Sequence, residues 1–487
     1  MAILQENTEK KVRAVVLAAG FGKRMKSDSS KVLHSVLGKP IIWRLLKAID
    51  GVTKEIVDLE QIHVVIGHNA EQVEGYVQEC VKAAQFSCPI FFHKQENQLG
   101  TGHALMSARG ALDNFGGEVL VLPGDTPLLT SEILDSLFLS HNKEKSDLTI
   151  LSTRLSNPYG YGRVLRSEQG EVLGIIEEKD ASEKQKQIKE ISASIYCFNW
   201  SAVGDGLSAI KNNNKQGEYY LTDLVSWSVN KGLKIEGFLI DDSRIVTGVN
   251  SRFDLQLANQ YLNEMVIYSL MSQAGVTVVD PVSTWIAPEV SIDSDTVILP
   301  GCWLVGDIQI GKSCIVGPHT VIEGKTKIGD ETKVVQSHLE DCEIGNTCYV
   351  GPFAHLRAGS KIANQVRIGN FVEIKNSNVD SLSAVGHLSY IGDSTIGKDA
   401  NIGAGTITAN YDHTTKIKAA THIEDGASIG SNSVLVAPVN IGKESVIAAG
   451  TVITKDVEAG ALAVRRVKQE NIAGWSEKRK QQKPKKT

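Results

Sequence analysis

From residue 13 to about residue 250 the chain alternates short apolar runs with stretches whose apolar residues recur every three or four positions. RAVVLAAG (Arg13 to Gly20), IHVVIGH (Ile62 to His68), PIFFH (Pro89 to His93) and EVLVLPGD (Glu118 to Asp125) read as strands buried in a mostly parallel sheet. WRLLKAI (Trp43 to Ile49), AEQVEGYVQECVKAA (Ala70 to Ala84) and HALMSARGAL (His103 to Leu112) have helical spacing. Strand and helix in alternation predict an α/β doubly wound, Rossmann-like domain over residues 12–250, with its ligand at the carboxyl ends of the strands. Leu255, Ala258, Leu262, Met265 and Ser269 then predict one helix across residues 251–275, a linker. Ser251 and Asp254 suit a capping box at its start, and Gly275 suits its stop.

After about Thr284 the period becomes six, with glycine often following the apolar residue. Ile310, Val316, Ile322 and Ile328 form one run, and Ile344, Val350, Leu356, Ile362, Ile368 and Ile374 a second. The series continues through Val379, Val385 and Ile391, then Ile396 and Ile402, and closes with Ile423 to Ile453. Neither helix nor simple strand has this period. Hexapeptide repeats predict a parallel β-helix, left-handed, with three hexapeptides per turn, over residues 276–475. The apolar residue should point inward, and glycine or a small polar residue should turn the corner. The break in TITANYDHTTKIKAAT, between Thr408 and Thr421, predicts a surface loop of functional kind. Residues 476–487 are basic and polar and are expected to be a disordered tail.

Composition narrows the field. The chain has 487 residues, 42% hydrophobic and 22% charged, which excludes a disordered or low-complexity protein. The formal net charge of −5 argues against a nucleic-acid partner. No apolar stretch approaches the ~20 residues of a membrane span, and the first eleven residues lack a signal-peptide core. Seven cysteines without a C-x-x-C pair suit reduced, buried thiols, so a cytoplasmic location is expected.

Two groups of residues carry candidate chemistry. LAAGFGKRM (Leu17 to Met25) follows a strand directly, with Lys31 close behind. Gly20 and Gly22 let backbone approach a polyphosphate, and Lys23, Arg24 and Lys31 can neutralise it. Asp125 stands just after a strand, where a carboxylate can hold Mg²⁺ on a phosphate. QENQLGTGHA (Gln95 to Ala104) supplies amides and hydroxyls able to read a base edge, with His103 in a structural role. In the repeat half, Arg357 and Lys375 lie 18 apart, one full coil, and should stack as a phosphate clamp. His387 and Tyr390 follow at neighbouring corners, and a histidine there is a candidate base.

LAAGFGKRM, Lys31 in SSKVLH, QLGTGHA and GDTPLL resemble the nucleotidyltransferases that join a nucleoside triphosphate to a sugar 1-phosphate. GYGRV, EEKDA, QGEYYLTD and GVNSR, together with the hexapeptide half, narrow this. The chain resembles the bacterial bifunctional N-acetylglucosamine-1-phosphate uridyltransferases and glucosamine-1-phosphate acetyltransferases from about Val12 to Trp475. That resemblance implies acetyl transfer from acetyl-CoA in the second half, then uridylyl transfer from UTP in the first. The product is UDP-N-acetylglucosamine, a precursor of bacterial cell-wall polymers.

The resemblance also implies roles. Leu17, Ala18, Ala19 and Gly20 line the nucleotide pocket, with Arg24 and Lys31 catalytic on the phosphates. Gln95, Gly100 and Thr101 read uracil, and Gly124 and Asp125 flank ribose and phosphates. Gly162, Glu177 and Asn250 contact the sugar nucleotide, and Asp125 with Asn250 holds Mg²⁺. Ser192-Ala193-Ser194 departs from the family's Asn-Thr/Ala-Gly, so the sugar-contacting amide is missing, Ser192 stands in its place, and weaker sugar affinity is expected. In the second half His387 is the base, oriented by Glu373, while Arg357, Lys375, Tyr390 and Asn401 hold the sugar phosphate. Ala404, Asn410, Tyr411, Ser431, Ala449 and Arg466 bind acetyl-CoA, with Lys416 reaching it. The family is homotrimeric, so a homotrimer acting on small molecules alone is expected. The rival reading is a monofunctional sugar-1-phosphate nucleotidyltransferase with a structural or regulatory β-helix.

Overall fold

The computed structural model describes residues 10–465 and 469–481. Its contacts divide the chain into two units, one ending at Leu262 and the other beginning at Asn263.

The first unit is built on a sheet whose strands are β1 (Lys10–Leu17), β2 (Val57–Ile66), β3 (Ile90–Lys94), β4 (Glu118–Pro123), β5 (Leu148–Arg154), β6 (Arg163–Arg166), β7 (Val172–Ile176), β8 (Glu190–Asn199) and β9 (Ile235–Ile240). Their order is β9-β5-β8-β4-β1-β2-β3, with β6 and β7 a hairpin attached to β8. β1 pairs in parallel with β2 and β4, whereas β8 runs antiparallel between β4 and β5. The central strands are apolar on both sides: Val12, Ala14 and Val16 pack into one core, Val15, Val119 and Val121 into the other. Helices cover both faces, which is why these strands read as continuous apolar runs rather than alternating ones.

Helices α1 (Ile41–Asp50), α2 (Ala70–Lys82) and α3 (Thr101–Ser107) lie where the spacing placed them; α3 stops short and continues as a single tight turn at Arg109–Ala111. A further helix, α4, spans Arg252–Ser272. Its start is a reciprocal cap: Asp254 Oδ2 accepts from Ser251 N–H at 2.8 Å, and Ser251 Oγ accepts from Asp254 N–H at 3.2 Å.

The second unit is a left-handed parallel β-helix of short strands on three faces. Ser291 pairs with Gln309, Val297 with Ile315 and Trp303 with Val321, a register of 18 residues per coil. Every apolar residue of the six-residue series is buried, Leu356, Ile374 and Ile391 completely. The glycine after each isoleucine has a different purpose from the one expected. Gly311, Gly329 and Gly345 are not among the residues with positive φ. A Cβ on Gly311 would stand 2.8 Å from Asp330 N, and one on Gly345 2.8 Å from the carbonyl carbon of Ala363, so glycine is needed where the next coil passes. Left-handed positions fall on other glycines, including Gly317 (φ 109) after Val316 and Gly351 (φ 103) after Val350, and also on residues such as Phe371 (φ 56), Asn376 (φ 46) and Leu388 (φ 52). Near Tyr390 the register tightens to 17; Ile407 then pairs with Val434, 27 residues on, and the difference is the predicted loop. The tail expected to be irregular from residue 476 is helical over Trp475–Gln481; its remainder lies outside the described residues.

Candidate active sites

In the first unit the carboxyl ends of β1 and β4 open on a cavity of about 420 Å³. Leu17 to Gly20, Lys31, Gln95, Gly100, Thr101, Gly124, Asp125 and Glu177 all line it. The strand ends are tied together, with Gly124 N–H donating to Leu17 O at 2.9 Å. Gly22 sits at φ 59, and a Cβ there would stand 2.9 Å from Lys31 Cβ; the glycine turn is what lets Lys31 close over the pocket. Arg24 lies exposed on the following turn, outside the lining.

Lys31 Nζ donates to Asp125 Oδ2 at 2.5 Å and to Asn250 Oδ1 at 3.1 Å. The carboxylate and the amide oxygen therefore converge on one cation. A Cβ on Gly248 would stand 3.0 Å from Asp125 Oδ1, so the glycine leaves room beside the carboxylate. Oxygen donors around a space already holding positive charge fit a hard divalent ion.

Elsewhere on the cavity wall Thr222 Oγ1 donates to Glu177 Oε1 at 3.0 Å; Ser192, whose N–H donates to Gly162 O at 2.9 Å, and Gly162 lie outside the lining. Burial pushes the Glu177 carboxyl above its ordinary range, more than the Thr222 hydrogen bond offsets. Ser192 itself is 3% exposed and faces Tyr196. Gln95 is buried, its amide nitrogen held by Gly100 O (3.2 Å) and facing His103 Nδ1 (3.0 Å), so His103 has the structural place expected of it. Thr222 and Tyr196 line the cavity although motif reading gave them no role, and Ser194 of the departing triplet lines it as well. Thr222 lies inside QGEYYLTD; Tyr196 was hidden in a strand that reads as plain core.

On the β-helix, Leu356 pairs with Ile374, which places Arg357 and Lys375 on successive rungs of one face. Arg357 Nη1 donates to Glu373 Oε1 at 2.9 Å. Tyr390 follows Glu373 one rung on, and Lys375 is followed by Gly392. A Cβ on Gly392 would stand 2.5 Å from the Tyr390 hydroxyl, so the phenol leans across the bare glycine beside the clamp. His387 ends the strand before that corner and is exposed.

The expected orienting group for His387, Glu373, is engaged by Arg357 instead. Asn370 pairs with His387 across one coil, and its side-chain oxygen faces His387 Nδ1. An amide oxygen only accepts, so this contact has Nδ1 as donor, which in a neutral ring leaves the lone pair on Nε2. Asn370 lay within a motif-like stretch, GNFVEIKNS, but nothing in linear spacing pairs it with a residue 17 positions on until the coil register is known.

Continuing the same register, Ala404, Ser431 and Ala449 follow His387 in one row: Gly405 N–H donates to His387 O, Asn432 N–H to Ala404 O (2.7 Å) and Gly450 N–H to Ser431 O (2.8 Å). Small residues thus form an open strip leading to the imidazole. Asn401 is exposed on the same face, opposite Ala384 at the start of the His387 strand. Asn410 is buried, its Nδ2 donating to Asp393 Oδ2 at 2.5 Å. Beyond it the inserted loop is closed by Asp412 N–H to Ile417 O and Ala419 N–H to Asn410 O, both 3.0 Å, with Tyr411 and Lys416 exposed. Arg466 lies outside the described residues. A larger, open groove of about 740 Å³ runs along another face, lined by repeated isoleucine and glycine with Lys327, Lys361 and Glu343 and without a histidine.

Residues 14–188 match the MobA-like NTP transferase domain, residues 341–376 the bacterial transferase hexapeptide family, and residues 421–455 the hexapeptide repeat of succinyl-transferase. Proteins named "Bifunctional protein GlmU" match nearly end to end. That of Halalkalibacterium halodurans is 43% identical over 94% of this chain and 97% of its own. Those of Clostridioides difficile and Heliobacterium modesticaldum are 42% and 45% identical over 96% of this chain and 98% of theirs. The chain belongs to the bifunctional GlmU family. Like other GlmU chains it is an enzyme with a nucleotidyltransferase half and a hexapeptide acyltransferase half, acting on small molecules. Nucleotidyltransferases of the GlmU kind use a divalent metal, in keeping with the Asp125–Asn250 donor pair. Among the described residues no helix is long and apolar enough to cross a membrane.

Proposed function

We propose that the β-helix transfers acetyl from acetyl-CoA to glucosamine 1-phosphate and that the N-terminal cavity then transfers uridylyl from UTP to N-acetylglucosamine 1-phosphate. The observation that carries the reading is His387, its Nδ1 facing the Asn370 side-chain oxygen one coil back, on the same coils as the stacked Arg357 and Lys375 rungs. A scaffold or regulatory β-helix has no need of that arrangement, which disfavours a monofunctional enzyme.

In acetyl transfer the substrate amine attacks the thioester carbonyl, the C–S bond breaks and CoA leaves as thiolate. His387 Nε2 takes the ammonium or amine proton and can return it to the thiolate. Arg357, Lys375 and Tyr390 hold the sugar phosphate, with Asn401, and the strip Ala404–Ser431–Ala449 with Asn410, Tyr411 and Arg466 receives acetyl-CoA. In uridylyl transfer an oxygen of the sugar 1-phosphate attacks the α-phosphorus of UTP and pyrophosphate leaves. Both reactants are anions, so neutralisation and alignment supply most of the rate. Arg24 and Lys31 bind phosphate oxygens. Lys31 leaves its ion pair with Asp125 to do so, which frees Asp125 and Asn250 as ligands. Mg²⁺, when bound there, supplies charge neutralisation between the phosphates. Gln95, Gly100 and Thr101 read uracil; Gly162 and Glu177 hold the sugar. The working form is a homotrimer in the cytoplasm.

One experiment tests the assignment. Purified protein with glucosamine 1-phosphate, acetyl-CoA, UTP and Mg²⁺ releases both CoA thiol and pyrophosphate. His387→Ala abolishes thiol release and spares pyrophosphate release from N-acetylglucosamine 1-phosphate; Asp125→Ala does the reverse. A folded single variant that silences both reactions rules out two independent sites.

A further inference from the structure

Tyr196 is 1% exposed, and its ring stacks on Phe198 with centroids 5.6 Å apart and planes at 14°. It also lines the cavity, beside Ser194, Glu177 and Thr222. Its hydroxyl stands 3.3 Å from Ser192 Oγ. The backbone explains how two residues four apart on one strand bring their hydroxyls together. Ser192 is opposite Ser152 and Tyr196 opposite Ile150, so four residues of β8 span two of β5. Ser194, at φ 58, lies in that bulge, and its N–H donates to Ser192 Oγ at 3.2 Å. Bulges of this kind re-aim side chains beside functional sites.

We propose that Tyr196 is a specificity-determining residue of the sugar end of this cavity, its phenolic hydroxyl donating to a ring substituent of the bound sugar nucleotide. This rests on the reading of the cavity as the sugar-nucleotide site. Ser192 Oγ already accepts from Ser194 N–H, and either hydroxyl of the Ser192–Tyr196 pair can donate to the other; with Ser192 as donor, the phenol hydrogen is free for the cavity, where Glu177 and Thr222 stand. A phenol fixed by ring stacking loses little freedom on binding, and it reaches further than the Ser192 side chain. The substituent is an acetamido group or a hydroxyl, and these are separable by substrate.

Tyr196→Phe keeps the stacked ring and leaves Ser192 its Ser194 partner, so the fold is retained. Calorimetric titration of the full chain with UDP-N-acetylglucosamine, UDP-glucose and UDP reads the effect. The variant binds UDP-N-acetylglucosamine about five- to twentyfold more weakly and UDP within about twofold of the original. A loss confined to UDP-N-acetylglucosamine assigns the contact to the acetamido group; an equal loss for UDP-glucose assigns it to a shared hydroxyl. Ser192→Ala gives a smaller loss in the same direction, and the double variant is no worse than Tyr196→Phe, as for two groups in one chain of hydrogen bonds. An unchanged affinity for both sugar nucleotides, or an equal loss for UDP, overturns the proposal. Failure of the original protein to bind UDP-N-acetylglucosamine at all overturns the underlying reading and the proposal with it.

Discussion

Lys31→Met should move two measurements in opposite directions. The ammonium sits 2.5 Å from Asp125 Oδ2, with side chains 12% and 17% exposed, and also donates to Asn250 Oδ1 at 3.1 Å. It therefore occupies the position from which a divalent ion would draw the same two oxygens. A hydrogen bond to a charged group at a mostly buried site is worth about 1.5–3 kcal/mol net. Taking the lower figure, removal of the competing cation raises the affinity of the nucleotide-free protein for a divalent ion about tenfold. The same substitution deletes a phosphate ligand needed in the transition state, so uridylyl turnover falls about 10²-fold or more. Mn²⁺ titration followed by paramagnetic resonance, without nucleotide, reads the first effect; pyrophosphate release at saturating Mg²⁺ reads the second. Thiol release by the β-helix provides the control and stays within about twofold. If Mn²⁺ binds the variant no better than the original, Lys31 does not hold the ion's place, and the idea that it changes partner as nucleotide enters is wrong.

Three further outcomes are expected. Asn370→Ala removes the acceptor that keeps the hydrogen on His387 Nδ1; at about 1 kcal/mol for that hydrogen bond, acetyl turnover drops about fivefold with pyrophosphate release unchanged, and a wild-type rate assigns the orientation elsewhere. Glu177→Gln stabilises the first unit at pH 7.5, because the buried carboxyl has its value raised and is costly to ionise in the fold. That cost vanishes once the group is protonated in the unfolded chain too, so the gain in melting temperature should disappear on lowering the pH below the ordinary carboxylate value of 4.5; a gain that persists in acid refutes the cause. Ile374→Ala, at a fully buried coil position under the clamp, costs about 2–5 kcal/mol of stability in denaturant unfolding, and a loss below 1 kcal/mol would mean the coil interior is not close-packed there.

Periodicity alone determined much of this protein. A six-residue spacing of apolar side chains is compatible with one backbone, because only a three-sided coil brings every sixth residue inward, so the β-helix, its 18-residue stacking of Arg357 on Lys375 and its surface loop were all legible in linear order. The nucleotide cavity was legible for a similar reason: residues at the ends of apolar strands, Leu17 to Gly20 and Gly124 with Asp125, must meet where parallel strands end together. Three things waited for the tertiary structure. Asn370 replaced Glu373 beside His387, since a 17-residue coil shifts which side chains face each other, and Glu373 is drawn off by Arg357. The glycines after isoleucine answer to the backbone of the next coil rather than to their own φ, a constraint with no trace in local sequence. Tyr196 reads as core in its strand and reaches the cavity only through a bulge, because two extra residues redirect a strand without altering its apolar pattern. Sequence sets which side chains are inward; which of them touch depends on register, and register is decided by the neighbouring strand.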